Sequence, residues 1–436
     1  MSVSSRQREI AVTCFGFNPD SNIGRVELKG SAAESHAAWR ANARAHLIRE
    51  KILSGIRDHH PDVFTFQECR RFEAFDGVVD SLTGVQATLS EKGYEVLVNG
   101  YNESGGEKAF QYVTAYDPNM FALEDRFIRY FSRTPDKATV RPDMSNMSAQ
   151  DADAALNEIK HNNYGIEWDR CAFFVKLRHK ELSNPVYVIN VHLDIAEVHR
   201  VKATELLIQF IADIAEKEPE AHIMIEGDFN TFPDRGGPEQ LAMLRNAKHG
   251  DGPLLHEATE DLRFPDGTKA EHTFIAYPYD FMGPQGRNMR GTSVGDLVLQ
   301  SKGLDELIAK MDSRKDQKLA IEALTLSREA GFNMQRFLSM LAPECRKVMT
   351  GLVFEQCAAL GGKLDHGYYR GCERVESSEV LINPLHPEPK INSFNDEHEV
   401  KNYILANHHK GPAFPSDHLP LVFKLVCKTD VAPSLL

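Results

Sequence analysis

An aspartate and an asparagine stand two residues apart in His222-Ile-Met-Ile-Glu-Gly-Asp228-Phe-Asn230, where an apolar run breaks into turn chemistry. A carboxylate held there can take a proton from water or bind a cation. An amide beside it can donate to an oxyanion. Four further clusters share these residue types: Gln67-Glu68, Asn190-Val-His192, Leu364-Asp365-His366 and Ser416-Asp417-His418. Each reads as the C-terminal end of a strand. Strand ends in layered α/β folds gather at one rim, so clusters far apart in sequence can meet there. The donor types are those of metal-assisted phosphate hydrolysis. Oxygen donors suit a hard cation such as Mg²⁺. A carboxylate aligns the attacking water, and imidazole and amide groups offset charge on a five-coordinate phosphoryl group.

The elements that must carry these groups follow from periodicity. Residues 9–18 read as an opening strand with Ile10, Val12 and Cys14 on one face. Residues 34–57 and 70–92 read as helices, with a buried strand at 63–66 between them. Further strands are expected at 94–99, 110–116, 122–130, 170–177, 186–192, 222–228, 363–370 and 422–427. A helix is expected at 202–217, where Leu206, Leu207, Phe210, Ile211 and Ile214 recur at helical spacing. Residues 133–165 read as a surface loop with a short helix near 150–160. Residues 302–328 and 332–360 have helical periodicity, which makes 282–362 a helical insertion within one catalytic domain spanning 1–436. The succession predicts an α/β protein with mixed sheets.

Bulk properties narrow the function. The chain has 436 residues and a formal net charge of −13. That charge opposes stable scaffolding on duplex nucleic acid, whose affinity rests on many Lys and Arg contacts to phosphates. The seven cysteines are dispersed with no Cys-x-x-Cys pair, which favours reduced, buried thiols in a cytosol-like compartment. No apolar run approaches the ~18 residues of a membrane span, and the N-terminus has no signal-peptide core. The expectation is cytoplasmic, with export by another route left open. Arg200 and Lys202 are expected on a charged helix face, and Asp194 and Glu197 on the surface. Asp365 and His366 must point to opposite faces of their strand, and Asp365 is the one expected to face the rim.

The motifs Pro61-Asp62-Val-Phe-Thr-Phe-Gln67-Glu68, Val191-His192-Leu193-Asp194, Gly227-Asp228-Phe229-Asn230, Leu364-Asp365-His366 and Ser416-Asp417-His418-x-Pro420 occur in that order. Together they resemble the endonuclease/exonuclease/phosphatase superfamily, which includes deoxyribonuclease I. The resemblance implies a four-layer α/β sandwich of two packed mixed β-sheets flanked by helices. It implies a Mg²⁺- or Mn²⁺-dependent phosphoesterase acting by direct attack of a water activated by Asp228. Asn230 would stabilise the transition state, and His192 would bond the scissile phosphate. His418 would contact the phosphate, held charged and oriented by Asp365. Glu68 would be the principal metal ligand, with Asp417 and Asn18 supporting it. Arg170 would be a looser phosphate contact. The family's first motif ends in Thr-aromatic-Asn, which simple alignment places at Gly16. Asn18 is preferred, on the expectation that the first strand carries a two-residue shift or a bulge.

A phosphodiester of a nucleic acid or nucleotide is the favoured substrate. The alternative is a phosphoinositide phosphatase or a sphingomyelinase-type lipid-headgroup hydrolase. The Trp-Cys-Asp run of inositol 5-phosphatases is missing from the sequence. A non-enzymatic scaffold is the third reading. Oligomeric state is not readable.

Overall fold

The structure is a computed structural model that describes residues 9–19, 48–49, 51–70, 81–100, 110–137, 147–164, 170–232, 236–271, 273–274, 362–381 and 418–428. The expected insertion at 282–362 lies outside these residues apart from 362. In chain order the elements are β1 (Glu9–Phe17), α1 (51–59), β2 (Val63–Arg70), α2 (Ser81–Glu91), β3 (Glu95–Gly100), β4 (Phe110–Tyr116) and β5 (Phe121–Tyr130). There follow α3 (Ala149–Asn162), β6 (Cys171–His179), β7 (Val186–His192), α4 (Glu197–Lys217), β8 (His222–Asp228) and α5 (Gly237–Asn246). The short strands β9 (Lys248–His249), β10 (Gly252–Pro253) and β11 (His256–Glu257) precede β12 (Asp365–Arg370), β13 (Arg374–Val380) and β14 (Leu421–Lys428).

Two six-stranded mixed sheets form, in the orders β13-β14-β1-β2-β4-β3 and β11-β12-β8-β7-β6-β5. Each contains one parallel pair, β1 with β2 and β7 with β8, and the other named pairings in these sheets are antiparallel. A parallel pair needs a crossover, which α1 and α4 supply.

Alternation along the strands sorts side chains into three cores. Ile10, Val12, Cys14, Val63, Tyr112, Phe173, Val188, Met224 and Phe423 pack between the sheets. Phe15, Phe17, Phe64 and Phe66 face outward onto Ile52, Leu82, Val85 and Leu89 of α1 and α2. Ile189, Val191, Ile223 and Ile225 face outward onto Leu207, Phe210 and Ile211 of α4. The layers are therefore helix, sheet, sheet, helix. Packing rather than capping holds α4. Its N-cap residue, Ala196, makes no side-chain cap bond. Burying each large apolar side chain contributes about 2 kcal/mol, several times a helix propensity difference.

Several elements differ from expectation. Helix α4 starts at Glu197 rather than 202, because Arg200 turns inward. It is fully buried, and its Nη1 donates to the Ile195 carbonyl at 2.9 Å. Asp194 is buried too, accepting the Ala196 N–H at 2.7 Å. Neither is the surface charge its type suggests. Helix α3 runs 14 residues, longer than expected. Strand β13 and helix α5 were not anticipated. Strand β1 carries no bulge: its register runs unbroken from Glu9 to Gly16 against β14, and from Cys14 to Phe17 against β2. The irregularity lies in β2, between Phe66 and Cys69.

Gly227 is crowded between the two ladders of β8. It pairs with both Val191 and His366, and a Cβ there would stand 1.9 Å from the Val191 carbonyl oxygen. The obstacle is backbone in a central strand, which cannot swing aside. Gly227→Ala should therefore destabilise the fold by about 3 kcal/mol. Urea unfolding checks this, and a loss under ~1 kcal/mol would mean the ladder yields.

Candidate active site

The inner faces of the sheets change from apolar to polar toward one end. Along β8 the inward residues are Met224, Glu226 and Asp228; along β7 they are Val188, Asn190 and His192; along β2 they are Val63, Thr65 and Gln67. On β1, Gly16 follows Ile10, Val12 and Cys14, and Asn18 stands one alternation further on. Asp228, His192 and Asn18, the upper members on β8, β7 and β1, are predicted site residues. The lower polar members form a buried layer that supports them.

That layer joins the two sheets. Gln67 Nε2 donates to Asn190 Oδ1 at 2.8 Å and to Glu226 Oε2 at 3.1 Å. Asn190 Nδ2 donates to the Phe66 carbonyl at 3.0 Å and the Val113 carbonyl at 3.1 Å. The Thr65 hydroxyl also bonds Glu226 Oε2. Gly16 explains how a carboxyl fits here: a Cβ at that position would lie 2.0 Å from the Glu226 carboxyl carbon. A side chain at position 16 would have to displace the Glu226 carboxyl, while Asn18 is 1% exposed with both amide atoms unpartnered among the described residues.

Above this layer Asp228 is the focus. Its Oδ1 accepts the Asn230 N–H at 2.8 Å, and its Oδ2 lies 3.3 Å from Asn230 Nδ2. The same Oδ2 is 3.4 Å from His192 Nε2 and 3.7 Å from His418 Nε2. Asn230 also donates to the Leu193 carbonyl at 2.8 Å, and its backbone is left-handed, with φ 51°. Asparagine tolerates that conformation better than most residues. Burial, above all, pushes the Asp228 carboxyl up to about 7; nearby Asp365 adds to this, while His418, the Asn230 N–H and Arg170 oppose it.

His418 is held from behind. Its Nδ1 lies 3.1 and 3.0 Å from the two oxygens of Asp365. Thr273 Oγ1 donates to Asp365 Oδ2 at 2.7 Å and accepts the Leu364 and Asp365 N–H groups at 3.0 and 2.9 Å. The Thr273 carbonyl accepts the Leu419 N–H at 2.7 Å, and Phe274 bridges to His418. Thr273 therefore ties together two segments that reach the rim separately. Its role was not legible in sequence, because a lone threonine gives no pattern.

His192 Nε2 also lies 3.5 Å from Glu68 Oε1. Burial, with Arg170 and His418 nearby, drives the His192 pKa well below its ordinary value, so the ring is neutral. Glu68 sits in the β2 irregularity with φ 51° and its side chain 21% exposed, facing the rim. Arg170 is buried at the start of β6, close enough to influence both Asp228 and His192. Asp417 lies outside the described residues. His366 faces away from the rim, 2.8 Å from Thr231 Oγ1 and 3.2 Å from Glu257 Oε1.

Asp228, Asp365 and His418 have ligand atoms within 4.8 Å of one another, a spacing open to a cation. The hydrogen bonds argue for another use: both Asp365 oxygens already serve His418 and one serves Thr273. Glu68 and Asn18 are the other rim groups whose donors could hold a hard cation. One has a partly exposed carboxylate, the other an inward amide with no partner among the described residues.

No family model matches the chain. An uncharacterised protein of Acanthamoeba polyphaga mimivirus is 22% identical over 204 residues, a match spanning 47% of this chain and 64% of that protein, less than two thirds of its length. Among solved structures, an endonuclease/exonuclease/phosphatase family protein from Bacteroides thetaiotaomicron matches with a TM-score of 0.50 at 13% identity, covering 98% of both chains. A mannosyl-6-phosphatase from Bacteroides thetaiotaomicron VPI-5482 has a TM-score of 0.48 at 13% identity, covering 95% of this chain and 99% of that one. The human Nocturnin catalytic domain has a TM-score of 0.45 at 14% identity, with 97% and 98% covered. The fold is that of the endonuclease/exonuclease/phosphatase proteins, as the motif order led us to expect. Among the described residues, no helix is long and apolar enough to cross a membrane.

Glu226 offers a direct test of the supporting layer. Burial, above all, raises its pKa from the model-compound 4.5 to about 8, with Asp365 and Asp228 adding to the shift and Thr65 and Gln67 opposing it. The native state therefore holds this proton more tightly than the unfolded chain. The resulting stabilisation is complete below about pH 4.5 and is lost as pH rises toward 8. Glu226→Gln removes the titration while keeping the shape. Relative to the parent, it should gain stability between pH 5 and 8, by an amount on the order of a few kcal/mol. Urea unfolding at several pH values measures the difference, and a pH-independent difference would place the carboxyl in contact with solvent.

Proposed function

We propose that this chain is a metal-dependent phosphoesterase that hydrolyses a phosphodiester of a nucleic acid or nucleotide. The observation that carries this reading is the convergence of His192, His418 and Asn230 on one oxygen of buried Asp228. A carboxylate whose pKa is lifted toward neutrality is a competent base for a water. Asp228 takes the proton as the water attacks phosphorus and the ester P–O bond opposite it breaks, the leaving oxygen taking a proton from solvent, with the Asn230 backbone bond fixing the orientation of Asp228. His192, neutral and carrying its proton on the nitrogen that faces the carboxylates, donates to a phosphoryl oxygen. His418 presents Nε2 on the same side, oriented through Nδ1 by Asp365 and Thr273, and offsets the charge that develops. Glu68, with Asn18 and Asp417, would hold a Mg²⁺ or Mn²⁺ ion, which supplies Lewis-acid polarisation of the phosphate. The net charge of −13 favours a short or single-stranded substrate over a long duplex. We place the catalytic machinery in one domain across 1–436, with 282–362 as an insertion beside it.

A panel of single-stranded RNA and DNA, a dinucleotide, inositol phosphates and sphingomyelin, with Mg²⁺ or EDTA, tests the reading. Metal-dependent cleavage of a nucleic acid or the dinucleotide is the expected result. Cleavage of inositol phosphates or sphingomyelin alone would move the substrate to the lipid-headgroup class. Inertness toward all of them would sink the proposal.

On the cleaved substrate, Asp228→Asn and His418→Ala should each lower kcat by about 10²–10⁴-fold with the fold intact by circular dichroism. Full activity in both would exclude this mechanism. Because Asp228 must be deprotonated to act, kcat/KM should rise with pH along an acid limb at or below the Asp228 value of about 7. A bound cation moves that limb lower. A rate that falls as pH rises from 5 to 7 would contradict Asp228 as the base.

A further inference from the structure

Strand β8 begins at His222 and ends at Asp228, which places His222 roughly 20 Å from the rim. Around it, three soft donors come together from separate elements: His222, Cys372 just after β12, and Cys427 in β14. The sulfurs of Cys372 and Cys427 lie 2.6 Å apart. Non-bonded heavy atoms rest at about 3.5–4.0 Å. Two thiolates on one tetrahedral Zn²⁺, with Zn–S near 2.3 Å, would stand roughly 3.8 Å apart. A disulfide needs about 2.05 Å. The spacing therefore matches neither separate thiols nor a shared metal, and lies about half an ångström from a covalent bond.

The backbones that carry the sulfurs are fixed. Gly371 is left-handed at φ 75°, and a Cβ there would meet the Ala221 carbonyl oxygen at 2.6 Å, so the turn lies tight against β8. The Gly371 carbonyl is 2.7 Å from His222 Nδ1, and the Glu373 N–H donates to the Val426 carbonyl at 2.7 Å. Cys427 is locked opposite Ile10 in the β1–β14 ladder. Cys372 is half-buried and within reach of a small oxidant, while Cys427 is 1% exposed.

We propose that Cys372 and Cys427 form a reversible dithiol–disulfide site whose oxidant is a low-molecular-weight disulfide of the glutathione type. Cys372 Sγ, as thiolate, attacks one sulfur of the small disulfide. That S–S bond breaks, one small thiolate leaves, and a mixed disulfide forms on Cys372. Cys427 Sγ then gives up its proton and attacks Cys372 Sγ, expelling the second small thiolate. Two protein thiols are oxidised, one small disulfide is reduced to two thiols, and both protein protons end on those thiols. The closed ring runs from the end of β12 through β13 to β14 and includes His418.

The test needs no phosphoester substrate, so its outcome is independent of the proposed hydrolysis. The full chain is treated with oxidised glutathione, alkylated, and mapped by mass spectrometry without reduction. The expected result is one Cys372–Cys427 linked peptide, reversed by dithiothreitol, with Tm higher by roughly 5 °C in the oxidised form. In Cys427→Ser the mixed disulfide on Cys372 should persist. In Cys372→Ser neither the link nor the adduct should form on Cys427. Alkylation of both thiols after oxidant, a link from either one to another cysteine, or a stoichiometric copurified zinc or copper ion that protects the thiols would each overturn the proposal.

Discussion

Two sheets pressed together by aliphatic contact alone have no directional reason to stay in one register. Here the direction comes from the amide–carboxyl bridge of Gln67, Asn190 and Glu226, which crosses from one sheet to the other just beneath the rim. Its groups are buried, so each broken hydrogen bond would leave a polar atom out of water at a cost of about 1–3 kcal/mol. Glu68, Asp228 and His192 each project from a backbone within two residues of a bridge member. The bridge thus sets the relative positions of groups contributed by different sheets. Glycine at position 16 is the condition for it, since the space a side chain would fill holds the Glu226 carboxyl.

Electrostatics at the rim follow from crowding acids with few cations in a dry place. Burial, with the neighbouring acids, disfavours the charged forms of Asp228 and Glu226. What opposes this is directional: the Asn230 N–H, His418 and Arg170 for Asp228, and Thr65 and Gln67 for Glu226. The two acids differ in what lies above them. Asp228 faces imidazoles and an amide at the opening, whereas Glu226 is sealed below. One is placed to exchange protons with a substrate; the other holds its proton as part of the scaffold.

Legibility in the sequence varied with how much of an element's signal is local. Strands β7 and β8 have the ends their apolar runs predict, because both faces are buried and the change to turn residues is abrupt. Strand β13 was unreadable: Arg374-Val-Glu-Ser-Ser-Glu-Val has few apolar positions, since only one edge of it meets β14. The groups at the rim were visible as clusters because chemistry demands unusual residue types side by side. Their supports were not. Glu226 looked like one charge in an apolar strand, although a charge there is itself the clue that the opposite face is polar. Thr273 contacts Asp365 across 92 residues of sequence, and nothing local announces that pairing. Arg200 misled because its helical position is polar by type but inward by geometry.

Strand β1 lies between β2 and β14, and Glu9 is opposite Lys428. As the chain emerges from a ribosome, one edge of β1 must therefore wait for the last strand of the sheet. Until β14 is made that edge presents unpaired backbone groups flanked by Phe15 and Phe17. Such an edge is a template for pairing with another chain, and long-range closure is slow. The arrangement that brings Asn18 and His418 to a common rim also leaves that edge of β1 open until β14 has been made.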